Sequence, residues 1–368
     1  MAKNRVLFAI PALLCGGMER VMSILVNYCA EEKPDYEIHL LLYAPATTQF
    51  YKIHPRVVVH QIKGNFSSKP TKFIFLLKSL LFLRREIKTL SPVAVLSFGD
   101  LQNLFFSLAT VGFKFPRAIS FRSNPVPITK RGKLRLILEG MLLRRVDLVI
   151  AQTRLSDTIF KSCYGVERTC VIGNPIPDFN VELRTRENLV ISVGRLIPSK
   201  SHEELILLFA KIRKPGWKLI IVGGDIPKSN RLQKLRELVK NLDADDYIEL
   251  VGAQKNVSDY LLRASIFAFP SLSEGFPNAL AEGMSAGLPS VSFDISGVSD
   301  LVVDGESGFI VPPRNFEMFA DKLSLLMERD DLRSKFSIKA KESAANFSEG
   351  KICEKFWQAL TQLNISTR

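Results

Sequence analysis

Two glutamates eight residues apart are the part of this sequence best placed to do chemistry. Glu274 and Glu282 flank a Gly-Phe-Pro loop that follows the apolar run 266–270 and leads into a predicted helix. The free amides of a first helical turn and the helix dipole both favour an anion. Glu282 lies two turns into the helix and returns to the side of Glu274. The pair fits a sugar nucleotide, which has hydroxyl groups at each end and a diphosphate between; the alternative is a surface loop with solvated glutamates.

Two cations follow a second apolar run in the sequence. Arg195 comes soon after the strand-like segment 189–193, and Lys200 lies five residues further on. An arginine can bind two phosphate oxygens at once, and a lysine adds a compact point charge. The two side chains are therefore candidates for binding a diphosphate; the alternative is a pair of surface cations.

A glycine pair lies downstream of the first apolar run, residues 5–10. Gly16 and Gly17 open a helical segment in which Glu19 and Arg20 follow. Because glycine has no β-carbon, the backbone here can come close to a ligand. Glu19 and Arg20 are either site residues or structural residues of the first helical turn.

These three motifs make the chain resemble bacterial glycosyltransferases of the GT-B fold, in the large retaining family four. The resemblance rests on Gly-Gly-x-Glu-Arg at 16–20, Gly-Arg-x4-Lys at 194–200 and Glu-x7-Glu at 274–282, in that order. It implies an α/β protein with two doubly wound Rossmann-like domains that face each other across a cleft. It also implies a retaining hexosyltransferase that moves a sugar from a UDP-sugar to a lipid-linked glycan.

The resemblance also assigns roles on the donor side. Arg195, Lys200 and Glu274 are the expected catalytic residues, with Glu274 bound to the donor sugar. Glu282 is expected to bind the ribose, and the nucleotide base should lie near residues 252–254. The full set of expected donor-binding residues is Gly16, Gly17, Gly252, Gln254, Phe276, Pro277, Asn278, Ala279 and Glu282.

The expected acceptor side lies in the first half of the chain. Asp100 and Asn103 follow a predicted strand at a place where relatives carry polar site residues. Arg122 stands where many relatives have histidine, which puts an acid–base role at this position in doubt. Arginine stays protonated, so we expect Arg122 to bind an acceptor phosphate or a sugar hydroxyl.

The resemblance implies a front-face displacement, in which the departing diphosphate oxygen takes the acceptor proton. The main task of the protein is then to stabilise charge on the leaving group. No Asp-x-Asp motif stands beside a predicted strand end, so we expect no required metal, and no cofactor besides the nucleotide-sugar co-substrate.

The length of 368 residues suits two domains. Short β-rich runs alternate with helical stretches in both halves, which predicts parallel, doubly wound sheets. The turn-rich segment 173–177 marks the boundary between an acceptor-side domain, 1–176, and a nucleotide-sugar-binding domain, 177–348. The last segment, 349–368, is expected to form a helix that packs back on the first domain, as in the resembled family.

The charge is distributed unevenly. Residues 1–180 contain 25 Lys and Arg against 12 Asp and Glu, whereas residues 181–368 contain 25 of each. Such asymmetry indicates an anionic partner for the first half. A membrane surface, a pyrophosphate-linked lipid and a nucleic acid all qualify. Five cysteines without metal-type spacing indicate reduced thiols, so we expect a cytoplasmic protein, peripheral on the inner face of the cell membrane.

Two basic segments of the first half are candidate membrane-surface helices. Residues 72–90 and 130–145 both mix Leu, Ile or Phe with Lys and Arg. Apolar positions can sink into a bilayer interface while basic side chains bind lipid phosphates. The alternative is that each segment is a crossover helix packed on the sheet with solvated charges.

Other functions remain open at this point. A GT-B transferase or epimerase acting on soluble substrates would show the same donor chemistry without binding vesicles. A basic nucleic-acid-binding module is the alternative from another class, but the sequence lacks basic stretches interleaved with stacking aromatics and any helix-turn-helix or RNA-binding signature.

Overall fold

The computed structural model of the chain describes residues 4–44, 49–63, 69–125, 139–179, 186–227 and 229–366. The chain folds into two compact units. Unit 1 comprises Met1–Pro175 and Glu349–Arg368, and unit 2 comprises Ile176–Ser348. The chain therefore leaves unit 1 once and returns to it once.

Unit 1 is built on a sheet of seven parallel strands in the order β3-β2-β1-β4-β5-β6-β7. The central strands are nearly continuous apolar runs, as expected when both faces of a parallel sheet are covered. Each of the first two strands buries five consecutive residues. The strands are β1 (Asn4–Ile10), β2 (Tyr36–Leu42), β3 (Val58–Gln61), β4 (Ala94–Phe98), β5 (Arg117–Ser120), β6 (Leu148–Ala151) and β7 (Thr169–Val171).

The helices of unit 1 connect these strands, and the last of them comes from the end of the chain. That last helix packs against unit 1 through Trp357, whose ring meets Tyr36 edge-on at 4.7 Å between centroids, and through a 2.7 Å ion pair between Glu354 and Lys33. The helices of unit 1 include α1 (Gly17–Glu32), α2 (Lys69–Leu90), α3 (Leu101–Ala109), α4 (Arg154–Tyr164) and α12 (Glu349–Ser366).

Helix α2, which contains the first candidate membrane segment, has apolar residues on two faces. Its buried face contains Leu83 and Ile87 and packs on the sheet, as in a crossover helix. On another face, Ile74, Leu77 and Leu81 are 50%, 51% and 57% exposed. Residues 130–138 of the second candidate segment lie outside the described residues, and residues 139–143 are helical. No helix in the described ranges is long and apolar enough to cross a bilayer.

Unit 2 is built on a second parallel sheet, of six strands in the order β10-β9-β8-β11-β12-β13. Apolar cores lie on both of its faces. The strands are β8 (Leu189–Val193), β9 (Lys218–Val222), β10 (Ile248–Gly252), β11 (Ile266–Phe269), β12 (Ser290–Phe293) and β13 (Gly308–Val311). The helices are α5 (His202–Lys211), α6 (Arg231–Asn241), α7 (Val257–Arg263), α8 (Asn278–Ser285), α9 (Val298–Leu301), α10 (Phe316–Glu328) and α11 (Asp330–Ala344).

Both sheets have one point at which the direction of winding reverses. In unit 1 this switch lies between β1 and β4, and in unit 2 it lies between β8 and β11. Loops at the carboxyl ends of such neighbouring strands diverge and leave a crevice, where ligands of open α/β sheets bind. A ligand site in either unit is therefore expected at the loops after these strands.

Candidate active site

Lys200 and Glu274 meet at the switch point of unit 2. Lys200 stands in the loop after β8, and Glu274 stands in the loop after β11. The Lys200 Nζ is paired with Glu274 Oε1, and the Ser271 hydroxyl donates to the same oxygen at 2.8 Å. The two side chains are 14% and 15% exposed, so solvent screens their charges much less than at the surface. The fold thus brings together two of the three expected catalytic residues.

Arg195, the third expected catalytic residue, lies in the same loop as Lys200 and is exposed. The loop is held by its neighbours in the sheet. Leu196 N–H donates to the Gly224 carbonyl at 3.0 Å. A β-carbon on Gly223 would overlap the carbonyl oxygen of Gly194 and stand 2.8 Å from its carbon. Only glycine at 223 permits this approach. Neither Gly223 nor Ser271 was predicted from the sequence.

The start of helix α8 differs in detail from the expectation. Pro277 has no N–H, and the Asn278 amide donates to the Phe276 carbonyl at 2.9 Å. Neither residue 277 nor residue 278 therefore offers a free backbone N–H to a phosphate, contrary to expectation. The Phe276 side chain is buried and packs on Phe347 at 5.6 Å between ring centroids. Ala279 lies one residue further along the first turn of the helix.

Glu282 lies on α8 and is partly buried. The helix sits close to strand β11 because the next residue is Gly283, where a β-carbon would stand 2.9 Å from Phe267 Cγ. A larger residue at 283 would push the helix, and Glu282 with it, away from the sheet. Neighbouring packing therefore determines where this carboxylate stands.

The expected base-binding segment follows β10. Gly252 has a φ of 73° at an irregularity in the β10–β9 pairing, and its carbonyl accepts from Gly223 N–H at 2.9 Å. A left-handed φ favours glycine, so Gly252 has a backbone role here. Gln254 is exposed, and its Nε2 donates to the Val251 carbonyl at 2.8 Å.

The glycine pair of unit 1 lies in the loop after β1. Gly16 is the residue before α1, and its carbonyl accepts from the Tyr51 hydroxyl at 2.9 Å and from Arg20 N–H at 3.0 Å. The Glu19 side chain folds over Gly16, where a β-carbon would stand 3.0 Å from Glu19 Cδ. A β-carbon on Gly17 would meet open space. A β-carbon at Gly16 would displace only the flexible end of the Glu19 side chain, so neither position requires glycine for packing.

The loop after β4 contains the first two acceptor-side candidates. Asn103 is fully buried, and its Nδ2 donates to the Ser120 carbonyl at 2.8 Å and to the Gly99 carbonyl. Because the buried Asn103 side chain is bonded to the backbone, the expectation that it contacts the transferred sugar is corrected. The Asp100 carboxylate accepts from the backbone N–H of Arg122 at 3.1 Å and from the Ser123 hydroxyl at 2.5 Å.

Arg122, the third acceptor-side candidate, is held on several sides. Its guanidinium carbon lies 4.7 Å from the centre of the Phe98 ring. Its Nη1 donates to Ser120 Oγ at 3.2 Å, and its Nη2 donates to Asn174 Oδ1. Burial lowers the pKa of the Arg122 guanidinium to about 9, against a smaller opposing effect of Asp100. Arg122 is thus still protonated at neutral pH. Its partners Phe98, Ser120 and Asn174 were not predicted from the sequence.

His202, which follows the Lys200 loop, gives a prediction about pH. It is 2% exposed, and burial together with Lys200 and Arg231 lowers its pKa from 6.5 to about 4. The unfolded chain then binds the extra proton first as pH falls below about 6.5, so the unfolding free energy of unit 2 should decrease, by at most about 1.4 kcal/mol per pH unit. We expect His202→Gln to flatten this dependence between pH 7 and pH 5.

Urea unfolding followed by Trp217 fluorescence measures the pH dependence of the unfolding free energy of unit 2. Trp217 is in unit 2 and the other tryptophan, Trp357, is in unit 1, so a Trp357→Phe background isolates the signal of unit 2. His54→Gln serves as the control for loss of a histidine. Equal pH slopes for wild type and the His202 variant would contradict the prediction.

Comparisons with known proteins relate this geometry to a family. A model of glycosyl transferases group 1 matches residues 176–343. The exopolysaccharide phosphotransferase SCO2592 of Streptomyces coelicolor is 32% identical over 256 residues, which are 67% of this chain and 26% of that protein. This chain therefore spans about a quarter of that relative. An N-acetylgalactosamine-N,N'-diacetylbacillosaminyl-diphospho-undecaprenol 4-alpha-N-acetylgalactosaminyltransferase of Campylobacter jejuni is 26% identical over 356 residues, covering 92% of this chain and 94% of that enzyme.

Solved structures show the same fold. A sucrose-phosphate synthase from Thermosynechococcus elongatus aligns with a TM-score of 0.80 at 18% identity, covering 99% of this chain and 100% of the other. Anabaena Alr3699/HepE in complex with UDP aligns with a TM-score of 0.77 at 18% identity, covering 97% and 100%. At these identities the likeness establishes the fold class, which is GT-B as the sequence predicted.

Proposed function

Because this chain belongs to the group 1 glycosyltransferases and has their GT-B fold, we propose that it transfers a hexose from a UDP-sugar to a lipid-linked glycan with retention of configuration. The family follows from the comparisons, and a role in bacterial glycan assembly is supported by what its relatives are named for. The donor nucleotide, the stereochemical course and the acceptor are our proposal.

The observation that carries the proposal is the Lys200–Glu274 pair at the switch point of unit 2. A diphosphate binds to cations, and Lys200 provides one. The hydroxyl groups of a donor sugar need hydrogen-bond acceptors, and the Glu274 carboxylate provides them. A sugar nucleotide would draw Lys200 to its phosphates and leave Glu274 to accept from the sugar. Ser271, which already donates to Glu274 at 2.8 Å, keeps that carboxylate in place during the exchange.

The proposed reaction requires little proton transfer by the protein. The bond between the sugar C1 and the diphosphate oxygen breaks, and a bond from C1 to the acceptor oxygen forms on the same face. The acceptor proton moves to the departing phosphate oxygen. Lys200 and the exposed Arg195 stabilise the charge that grows on that diphosphate. No cofactor and no metal enter this scheme.

A UDP donor is supported by the neighbour structure that holds UDP. A lipid-linked acceptor is supported by the relative named for transfer to a diphospho-undecaprenol-linked sugar. The excess positive charge of residues 1–180 is in keeping with such an acceptor. We place the enzyme in the cytoplasm, peripheral on the inner face of the membrane, where lipid-linked glycans would be within its reach.

The exposed face of α2 is the surface that we propose to contact the bilayer. Ile74, Leu77 and Leu81 follow helical spacing and are each at least half exposed, and Lys78 and Arg85 on the same helix are exposed too. An anionic lipid surface matches both features, since aliphatic side chains can enter the interface while cations bind the phosphates.

Replacing Ile74, Leu77 and Leu81 together with glutamine should lower binding to anionic vesicles by at least about tenfold, because each aliphatic side chain contributes on the order of 1 kcal/mol when it leaves water. Co-sedimentation with vesicles of phosphatidylglycerol measures the loss. The matched control replaces three exposed aliphatic residues of unit 2, Leu207, Val303 and Ile338, and should bind as wild type does. Equal binding by the α2 variant and the control would exclude this face.

Release of nucleoside diphosphate tests the function as a whole. UDP-, GDP- and ADP-sugars are offered in EDTA, with and without anionic vesicles that carry polyprenyl-diphosphate sugars. We expect release from one UDP-sugar, dependent on the lipid acceptor and unaffected by EDTA. Full activity with soluble acceptors alone would contradict the lipid acceptor, and the absence of turnover with every donor would contradict catalysis by this site.

A further inference from the structure

Arg122 is a cation without a carboxylate partner among the residues that the structure describes. Its hydrogen-bond acceptors, Ser120 Oγ and Asn174 Oδ1, are both neutral. Asp100 is the carboxylate that acts on the pKa of Arg122. Its two oxygens accept from the backbone N–H of Arg122 and from the Ser123 hydroxyl, and not from the guanidinium. The Arg122 Nε is buried and has no hydrogen-bond partner in the described part of the chain.

Such an arrangement is unusual, because a charge taken out of water is normally paired and its donors satisfied. A guanidinium has five N–H donors, and the partners named above use two of them. The remaining donors and the unmatched charge favour an anionic oxygen over a neutral hydroxyl, since an anion accepts hydrogen bonds from the guanidinium and also neutralises its charge.

We propose that Arg122 forms an anion subsite in unit 1 that takes a phosphate oxygen of the acceptor's diphosphate, with Asn174 as the residue that positions it. This inference rests on the proposed function and names the part of the acceptor that unit 1 recognises. Asn174 is 4% exposed, and the Gln152 side-chain amide lies 2.7 Å from its Oδ1. A neutral amide fixes the guanidinium without cancelling its charge, whereas a carboxylate would do both.

The difference between amide and carboxylate provides the test. Asn174→Asp keeps the shape and the hydrogen bond but gives Arg122 an internal counter-ion. We expect this variant to fold at least as stably as wild type and to lose at least about tenfold in kcat/KM for an acceptor glycan on a short-chain polyprenyl diphosphate, as for the loss of a hydrogen bond to a charged group. For the same glycan on a neutral alkyl aglycone, kcat/KM should not change.

A purely structural role for Asn174 predicts a different result. In that case Asn174→Asp would leave the wild-type preference for the diphosphate acceptor intact, and this outcome would overturn the proposal. Arg122→Gln removes the cation and should abolish the same preference, while Arg122→Lys should restore part of it. Asn4→Asp adds the same charge at an exposed position of unit 1 and controls for net charge.

A binding measurement separates this inference from the proposed function. Calorimetry with inorganic pyrophosphate, in the presence of saturating UDP to occupy the donor side, reports the subsite without any turnover. We expect wild type and Asn4→Asp to bind pyrophosphate and Asn174→Asp to bind it at least about tenfold more weakly. If wild type binds pyrophosphate in this way but turns over no donor, the proposed function fails and the anion subsite stands. If all variants bind it equally, the subsite fails, whatever the activity.

Discussion

Replacing Lys200 with methionine should lower kcat by about two to three orders of magnitude, the usual effect of removing one group that stabilises charge in a transition state. Lys200 is the cation that the fold brings to Glu274 at the switch point, and it is nearly buried. Methionine keeps most of the side-chain volume, so the loss would be one of charge. Initial rates of UDP release at saturating donor measure kcat.

A second ion pair of unit 2 supplies the matched control for this variant. Lys214 pairs with Glu328, whose side chain is 55% exposed, and surface pairs of this kind contribute little. Lys214→Met should therefore keep kcat within about twofold of wild type. Lys200→Arg retains the charge and should recover part of the activity. A Lys200→Met enzyme with near wild-type kcat would remove Lys200 from the proposed mechanism.

Replacing Gly223 with alanine should disrupt unit 2 near the same site. The added β-carbon would overlap the Gly194 carbonyl, so the loops after β8 and β9 must separate, at a cost of about 3 kcal/mol if the effect is like severe overpacking of a core. Because Arg195 and Lys200 belong to the displaced loop, kcat should fall together with the unfolding free energy. Urea unfolding by Trp217 fluorescence and the UDP-release assay measure the two effects.

Gly350→Ala is the control for the glycine substitution. A β-carbon at Gly350 meets no atom within 4 Å, and alanine is favoured over glycine in a helix by about 1 kcal/mol. This variant should be as stable as wild type or more so. If Gly223→Ala unfolds at the wild-type urea concentration, the close approach of the two loops does not exist in solution.

The sequence was most informative where chemistry follows a buried, apolar strand in the middle of a sheet. Strands β8 and β11 could be recognised from their apolar runs, and the residues after them, Arg195, Lys200 and Glu274, could be assigned to the carboxyl edge of one sheet. What could not be read is which side chains meet, because Lys200 and Glu274 are 74 positions apart in the chain. Their pairing depends on the order of strands in the sheet.

Edge strands and buried polar residues were harder to predict. Strands β7 and β13 have three and four residues and lie at the edges of their sheets, where little apolar patterning is required. Asn103 was interpreted as a ligand-facing residue because it follows a strand. In the structure its side chain donates to the backbone carbonyls of Gly99, after β4, and of Ser120, at the end of β5. These two carbonyls come together only once the strands have paired.

The return of the chain to unit 1 also dictates the order in which the protein can be completed during synthesis. Ile176 N–H donates to the Phe347 carbonyl at 2.8 Å, so every residue that closes unit 2 precedes helix α12 in the chain. Unit 1 has to wait for Phe356, which packs on Phe98, the same ring that supports Arg122. A chain truncated after residue 348 would thus keep every residue of unit 2 and lack the helix that completes the core of unit 1.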